Sequence, residues 1–109
     1  MSDIYCKQIL TKQIPFKLFA ESDQVLAFYH TKPFWPIHIV VIPKAHVVSL
    51  LDIKKEQMTL IQEIIIMIQN VARHITTKYG ACRVLTNLGN YQDSGHLFWH
   101  ISFGKPIQP

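Results

Sequence analysis

The sequence predicts an α+β domain in which one long helix packs against an antiparallel sheet. Strand-like apolar segments lie at residues 25–29, 37–42 and 97–103, and the intervening segment 53–79 has a helical apolar period. Because strands flank a single long helix on both sides in chain order and short turns join them, an antiparallel sheet covered by that helix is the simplest architecture.

The first half of the chain supplies three of the predicted extended segments. Residues 13–19 follow a first turn or short helix as a short extended piece, and residues 25–29 form a buried apolar strand. Two prolines place residues 31–36 in a loop. Residues 37–42 are β-branched almost throughout and stop at Pro43, so they are the best-defined strand of the sequence.

The long helix is predicted from apolar residues that recur at i, i+3, i+4 and i+7. Asp52 is expected to cap its N-terminus, and Gly80 follows its last residue near Tyr79. The periodic apolar positions are Ile61, Ile64, Ile65, Ile68, Val71, Ala72 and Ile75. This spacing predicts a helix over roughly residues 53–79 with one apolar face against the sheet.

Four further apolar residues widen that face beyond what one sheet would cover: Met58, Leu60, Ile66 and Met67. Two interpretations are open. The surplus faces a second subunit, or it lies under loops of the same chain. A composition of 49% hydrophobic and 17% charged residues leaves an apolar surface on so small a protein, which favours a homodimer.

The C-terminal part adds two more strands around a turn-rich loop. Residues 81–87 are expected to be a strand, and the loop 87–95 is rich in glycine, asparagine and other turn formers. Residues 97–103 form a final strand that is rich in aromatic side chains. With 109 residues, the chain is one domain over residues 1–109.

Composition excludes several classes of partner. The formal charge is +4, but apart from the Lys54–Lys55 pair the lysines are scattered, whereas nucleic-acid surfaces concentrate basic residues; no nucleic-acid partner is expected. No apolar run approaches the roughly 20 residues of a membrane span, so no membrane partner is expected either. Cys6 and Cys82 lie far apart, and the first residues lack a signal-peptide pattern, which indicates a reducing, cytoplasmic location.

Two motifs carry a family resemblance. Residues 36–38 read PIH, and the strand they begin ends in VIPKAH at residues 41–46. Near the C-terminus, Gln92 is followed after four positions by His96-Leu-Phe98-Trp-His100, with a glycine shortly behind. With the opening IYCK at residues 4–7, these motifs make nearly the whole chain resemble the histidine triad (HIT) family of nucleotide-binding proteins.

The resemblance implies a HIT-like fold, an antiparallel sheet of about five strands with one long helix, and a homodimer. It also implies that the middle histidine of an H-x-H-x-H triplet attacks the α-phosphorus of a nucleoside phosphoramidate or dinucleoside polyphosphate. Phe98 stands at that position, flanked by His96 and His100. A phenyl ring has no lone pair and cannot attack phosphorus. A register with His100 in the middle loses the spacing from Gln92.

Residues of a base-binding cradle are implied by the same resemblance: Ile4, Tyr5, Phe28 and Tyr29. Plain core packing is the alternative for each of them. His30 stands where the family keeps an acidic residue that accepts both ribose hydroxyls. A neutral imidazole offers one acceptor at most, so the resemblance predicts weakened ribose recognition.

The phosphate would be held by a second implied group: Asn87, Gln92, His96 and His100. His38, in the central strand, matches a histidine that supports the triad by hydrogen bonding. Histidines that merely satisfy buried backbone groups are the alternative for all three imidazoles. No cofactor is expected.

A zinc site is a weaker expectation. Some members of the family bind zinc through an N-terminal C-x-x-C pair and two later histidines. Here Asp3 replaces the first cysteine, so the candidate ligands are Asp3, Cys6, His46 and His96. The broken thiolate pair weakens this set.

Three functional hypotheses remain from the sequence. The chain is a purine nucleotide-binding protein that has lost covalent catalysis at Phe98, a working hydrolase of nucleoside phosphoramidates or dinucleoside polyphosphates that uses a displaced histidine, or a dimeric scaffold with a vestigial pocket. Phe98 and His30 weigh against the second, and the retained Gln92, His96 and His100 weigh against the third.

Overall fold

The computed structural model describes residues 15–107 of the chain. Within these residues, five strands form one antiparallel sheet in the order β1-β2-β3-β5-β4, and one long α-helix packs on one face. The elements are β1 Leu18–Glu21, β2 Val25–Tyr29, β3 Ile37–Pro43, α1 Met58–Tyr79, β4 Arg83–Leu85 and β5 Trp99–Phe103. The predicted α+β class is confirmed. The first part of the extended segment predicted at 13–19 lies outside the described residues.

The central strands divide the sheet into two chemically different faces. Ala27 of β2 pairs with Val41 of β3, and Phe28 pairs with Val40. Because side chains alternate along a strand, Ala27 and Val41 contact α1, while Phe28 and Val40 lie on the opposite face. Both faces of the two strands are buried, which explains their nearly continuous apolar sequence.

The predicted start of the long helix was wrong by about five residues. Residues 50–52 and 55–57 form two separate turns of 3-10 helix, and α1 begins only at Met58. Ser49 caps the first of these turns by accepting the Leu51 N–H at 3.2 Å, and Asp52 is the last residue of that turn. The predicted end is confirmed, because Gly80 has φ +91° and donates its N–H to the Thr76 carbonyl.

The apolar stripe of α1 is buried against the sheet. Leu60 and Met67 are core residues at 4% exposure each, so these two members of the presumed surplus belong to the chain's own core. Met58 and Ile66 remain exposed at 56% and 57%, respectively. In the described part of the chain, no helix combines the length and apolar composition required to cross a bilayer.

Glu63 fastens the β1–β2 turn to α1. The Ser22 hydroxyl and the Gln24 backbone N–H both donate to Glu63 Oε2, and the Gln24 side-chain amide donates to Oε1. The Ser22 hydrogen bond, followed by the Gln24 N–H, lowers the pKa of the Glu63 carboxyl. The carboxylate therefore fixes the position of the helix along the sheet.

The last two strands are shorter than predicted. β5 begins at Trp99 rather than residue 97, and β4 spans three residues instead of 81–87. The Leu97 N–H donates to the Val47 carbonyl at 2.7 Å, outside the sheet. The Thr86 hydroxyl donates a hydrogen bond to the Phe98 carbonyl. Since Pro43 has no N–H, the ladder with β3 cannot continue at that point.

Candidate functional site

Three histidines cluster on the sheet face opposite α1. His30 follows β2, His38 lies in β3, and His100 lies in β5, where it pairs with Val40. The His30 and His38 rings stack with centroids 4.5 Å apart, and the His38 and His100 centroids are 5.1 Å apart. Adjacent strands of the antiparallel sheet therefore bring residues 30, 38 and 100 together, although they are far apart in sequence.

Hydrogen bonds fix the proton positions in this cluster. The backbone N–H of Phe34 donates to His38 Nδ1 at 3.0 Å. Because Nδ1 accepts, the proton of a neutral His38 ring must lie on Nε2, and it is donated to His100 Nδ1 at 2.8 Å. His100 therefore carries its own proton on Nε2. We call this chain from the Phe34 N–H through His38 to His100 the histidine relay.

Burial keeps the cluster neutral. Desolvation, followed by the neighbouring His30 and His100, lowers the pKa of His38 to about 3. Desolvation and then His30 lower the pKa of His100 to about 4, against an opposing effect of Asp93. Burial also lowers the pKa of His30, again opposed by Asp93. At neutral pH these rings are uncharged, as the histidine relay requires.

A cavity of about 240 Å³ opens beside His100. It combines hydrogen-bonding groups with one aromatic wall, and a cavity of this kind is the usual form of a small-molecule site. Its lining residues are His30, Thr31, Lys32, Asn87, Gln92, Asp93, Ser94, His96, Phe98 and His100.

Phe98 forms the aromatic wall of this cavity. Its side chain is 9% exposed and packs on an apolar cluster made of Leu26, Phe28, Val40 and Ile42. The ring centroid lies 5.9 Å from that of His100. Phe98 thus continues the core into the cavity and presents a carbon surface next to the last nitrogen of the histidine relay.

His96 and Gln92 brace the loop that borders the cavity. His96 is 1% exposed, and its Nε2 lies 2.9 Å from the Pro43 carbonyl, an acceptor, so Nε2 carries the proton. The Gln92 side-chain amide donates to the Val48 carbonyl and, at 3.4 Å, to the His96 carbonyl. A neutral His96 therefore uses its one N–H on the backbone and would donate to an anion only if protonated.

Sequence and structure comparisons agree with this architecture. The family model of the HIT domain matches residues 11–105. The chain belongs to the HIT domain family. An uncharacterized HIT-like protein of Rickettsia prowazekii is 32% identical to this HIT chain over 103 residues, which cover 92% of the chain and 86% of the relative. Protein HitA of Neisseria gonorrhoeae is 30% identical over 105 residues, covering 95% and 96%.

Solved structures show the same HIT fold. A histidine triad protein from Clostridium difficile superposes with a TM-score of 0.79 at 35% identity, covering 98% of this chain and 94% of that one. A HIT family hydrolase from Legionella pneumophila superposes with a TM-score of 0.81 at 24% identity, covering 95% and 94%, and shows the shared fold.

The HIT chain brings all four residues of the predicted phosphate group to one cavity. Asn87, Gln92, His96 and His100 all line the 240 Å³ cavity, and His30 joins them. His38 lies behind His100 as its hydrogen-bond partner. These residues therefore lie at one site, and their roles in phosphate binding stay predictions.

The predicted base cradle is dispersed in the HIT fold. Tyr29 pairs with Ile39 on the face of α1 and stacks edge-on with Phe19, so strand alternation turns it away from the cavity. Assigning Tyr29 to the site was wrong. Phe28 lies on the correct face but is fully buried beneath Phe98, where it packs as core. Ile4 and Tyr5 lie outside the described residues.

The candidate zinc set is only half within the described part of the HIT chain. Asp3 and Cys6 lie outside it. The rings of His46 and His96 are 5.4 Å apart, but His96 Nε2 is already bound to the Pro43 carbonyl, which leaves Nδ1 as its only candidate ligand atom. Within residues 15–107, no three histidine, cysteine, aspartate or glutamate side chains are arranged so that they could hold a metal ion together.

Sequence reasoning missed several residues of the HIT site. Lys32 and Asp93 bring opposite charges to the cavity, and Phe34 starts the histidine relay through its backbone N–H. Phe34 and Trp35 line a second, adjoining cavity. The two prolines around the FW dipeptide were a signal, because a proline-bounded aromatic loop directly after His30 is rigid and close to the cluster.

Proposed function

We propose that this HIT chain binds a purine nucleotide or a nucleotidyl conjugate in the cavity beside His100, and that it forms no covalent bond to the bound phosphate. One observation supports the proposal above all others: the histidine relay leaves His100 with a proton on Nε2, at a cavity whose wall is the unreactive ring of Phe98.

Phosphate binding follows from the donors at the cavity. A neutral His100 donates through its Nε2–H, and the Lys32 ammonium supplies a positive charge. Hydrogen bonds to an anionic oxygen are about twice as strong as neutral ones. Asp93 adds one negative charge at the same cavity, so a phosphate would bind on the side of Lys32 and His100.

The His100 tautomer with its proton on Nε2 also argues against covalent catalysis. A nucleophile must bring a lone pair to about 3–3.5 Å from the phosphorus. Phe98 has none. The lone pair of His100 is on Nδ1 and accepts the His38 proton, while Nε2 is protonated, so His100 is a donor rather than a substitute nucleophile. The protonated Nε2 of His100 weighs against the displaced-histidine hydrolase, although solved relatives from Legionella pneumophila and Clostridium thermocellum are named HIT family hydrolases.

Ribose recognition should be weak. The His30 Nδ1 accepts the Lys32 N–H at 3.0 Å, so a neutral His30 ring has no acceptor left for a ribose hydroxyl. Deoxyribonucleotides and ribonucleotides are therefore expected to bind with similar affinity.

Isothermal titration with AMP, dAMP and adenosine tests this function directly. We expect AMP and dAMP to bind with affinities within about threefold of each other, and adenosine at least about tenfold more weakly, because it lacks the anion. His100→Ala should weaken AMP binding by about tenfold, whereas the matched control His74→Ala, on α1 and exposed, should leave it unchanged.

A parallel assay with an adenylyl phosphoramidate separates the competing hypotheses. We expect binding without detectable turnover. Turnover at ordinary enzyme rates would establish the displaced-histidine hydrolase instead. Failure of every nucleotide to bind or to raise the melting temperature would indicate a scaffold with a vestigial pocket.

We further propose that the chain is a homodimer. Among the described strands, β4 lies at an edge of the sheet, and its Val84 is 45% exposed on the face of α1. The apolar side chains of Met58, Ile65 and Ile66 are exposed on α1 itself. A second copy can pair with a sheet edge and also cover exposed apolar side chains of the helix. We place this dimer in the cytoplasm, where a free thiol such as Cys82 stays reduced.

Light scattering after size exclusion tests the dimer. The wild-type chain is expected to run at twice its 12.6 kDa mass, and Ile66→Glu is expected to run as a monomer because it buries a charge in the interface. Leu51→Glu is the matched control, since Leu51 is also exposed, at 80%, but belongs to the 3-10 turn at residues 50–52 and not to α1 or β4. A wild-type monomer at high concentration would contradict the proposal.

A further inference from the structure

A second cavity adjoins the first across a shared polar boundary. Its volume is about 320 Å³. Both cavities are lined by the same five residues, His30, Lys32, Asn87, Asp93 and His100, which we call the waist. Beyond the waist, the first cavity ends on Phe98, and the second ends on Phe34, Trp35, His38 and Leu85. The site thus has two lobes with an aromatic wall at each end.

The loop that carries the second wall is firmly anchored. The Phe34 N–H donates to His38 Nδ1, and the Phe34 carbonyl accepts the Ile107 N–H at 2.7 Å. The Trp35 ring lies against the Arg83 guanidinium, 5.2 Å from the ring centroid. Arg83 in turn donates to the Ser102 hydroxyl at 2.9 Å and to the Gly104 carbonyl. Cation–π and backbone contacts therefore fix both aromatic residues in place.

Gly104 lets this loop approach the end of β5. It has φ +100°, and a Cβ at this position would lie 2.9 Å from the Pro36 ring. A side chain there would push Pro36, and the loop with it, away from the sheet. The trailing glycine of the sequence motif thus has a structural role in seating the aromatic loop.

Although the loop is anchored, the ring of Phe34 remains exposed to solvent. Its side chain is 53% exposed, and the Trp35 ring meets it edge-on at 4.8 Å. A fixed, half-exposed aromatic ring at the end of a cavity offers a preorganised surface for a planar group, since no ordering of the loop is needed. Exposed rings on mobile loops lack this advantage.

We propose that Phe34 and Trp35 form a second specificity subsite, which takes the planar, apolar second group of a nucleotidyl conjugate. This inference rests on the proposed function: the phosphate lies at the waist near His100, the nucleoside occupies the lobe of Phe98, and the second group stacks at Phe34. The ligand class is thus two planar groups joined through a phosphate, which matches two aromatic lobes joined by a polar waist.

Titration with two AMP conjugates tests this subsite. One carries an arylmethyl amine on the phosphorus, and the other carries a butyl amine as a flexible apolar control. In the wild-type chain, the aryl conjugate is expected to bind about tenfold more tightly than AMP, and the butyl conjugate within about threefold of AMP. Equal affinities of the two conjugates would overturn the inference.

Phe34→Ala is the decisive variant because it removes the ring and keeps the backbone N–H to His38. It should abolish the advantage of the aryl conjugate over AMP, with both affinities measured in the same variant. Tyr91→Ala is the matched control, an 80% exposed aromatic residue that lines neither cavity. An aryl advantage that survives in Phe34→Ala would refute the subsite. A wild-type chain that binds neither AMP nor the conjugates would refute the proposed function itself.

Discussion

Phe98→His is expected to create the nucleotidyl hydrolase activity that the proposed function denies to the wild-type chain. The new imidazole would stand at the cavity wall, on the apolar cluster of Leu26, Phe28, Val40 and Ile42. Such surroundings disfavour protonation and leave a neutral, nucleophilic ring. His100 would donate its Nε2–H to the phosphoryl oxygens, as the histidine relay prepares it to do.

Turnover of an adenylyl phosphoramidate should rise at least about 100-fold above the wild-type background, on the scale that a positioned nucleophile contributes. Mass spectrometry of Phe98→His quenched during turnover should detect a covalently attached nucleoside monophosphate. The unmodified chain should show none.

Phe98→Asn provides the matched control. It also places a polar group in the apolar cluster, at a cost of about 1–3 kcal/mol, but it has no nucleophilic nitrogen. We expect it to bind AMP without turnover. A folded Phe98→His variant that binds AMP yet forms no adduct would show that the cavity cannot support attack, and a wild-type rate equal to that of the variant would show that Phe98 is not the lost nucleophile position.

The sequence was sufficient for the elements that local patterns determine. β2 was predicted residue for residue, β3 was extended only by Pro43, and the end of α1 followed from Gly80. The start of α1 was missed because Asp52 ends a separate 3-10 turn, extended backbone at Ile53 and Lys54 interrupts the helix, and Gln57 precedes α1 without a side-chain cap that would mark the start in the sequence.

The sequence predicted several residues of the candidate site but not the hydrogen bonds that connect them. The motif around Gln92 and His100 located the cavity, yet the histidine relay depends on a backbone N–H at Phe34, which no residue pattern encodes. Tyr29 was an avoidable error, because a period of two already puts Tyr29 and His30 on opposite faces. Phe34 and Trp35 were missed since a loop's position depends on tertiary contacts such as that of Gly104 with Pro36.

The second large expected effect is a loss of stability in mild acid. Burial lowers the pKa of folded His38 to about 3 and that of His100 to about 4, and it lowers the pKa of His30 as well. In the unfolded chain each of these groups titrates near 6.5. As the pH falls below about 6.5, these histidines become protonated in the unfolded chain but stay neutral in the folded chain. The free energy of unfolding therefore decreases.

The slope of the free energy of unfolding against pH identifies the histidines that cause the loss of stability. Each histidine that stays neutral in the folded state reduces the free energy of unfolding by about 1.4 kcal/mol per pH unit once its unfolded form is protonated. Urea unfolding between pH 7.5 and 5 is thus expected to give a stable plateau above pH 7 and a steep decline below 6. The hydrogen bonds from Ser22 and Gln24 hold the pKa of the Glu63 carboxyl below its ordinary value, so this carboxylate adds little to the slope in this range.

His100→Asn should make that decline shallower by about 1.4 kcal/mol per pH unit, because one of the groups that the fold keeps neutral is removed. His74→Asn should leave the slope unchanged, since His74 is exposed on α1 outside the cluster. A free energy of unfolding that stays constant from pH 7 to pH 5 would mean that the cluster is charged in the folded state. In that case the histidine relay, and with it the protonated Nε2 assigned to His100, would be incorrect.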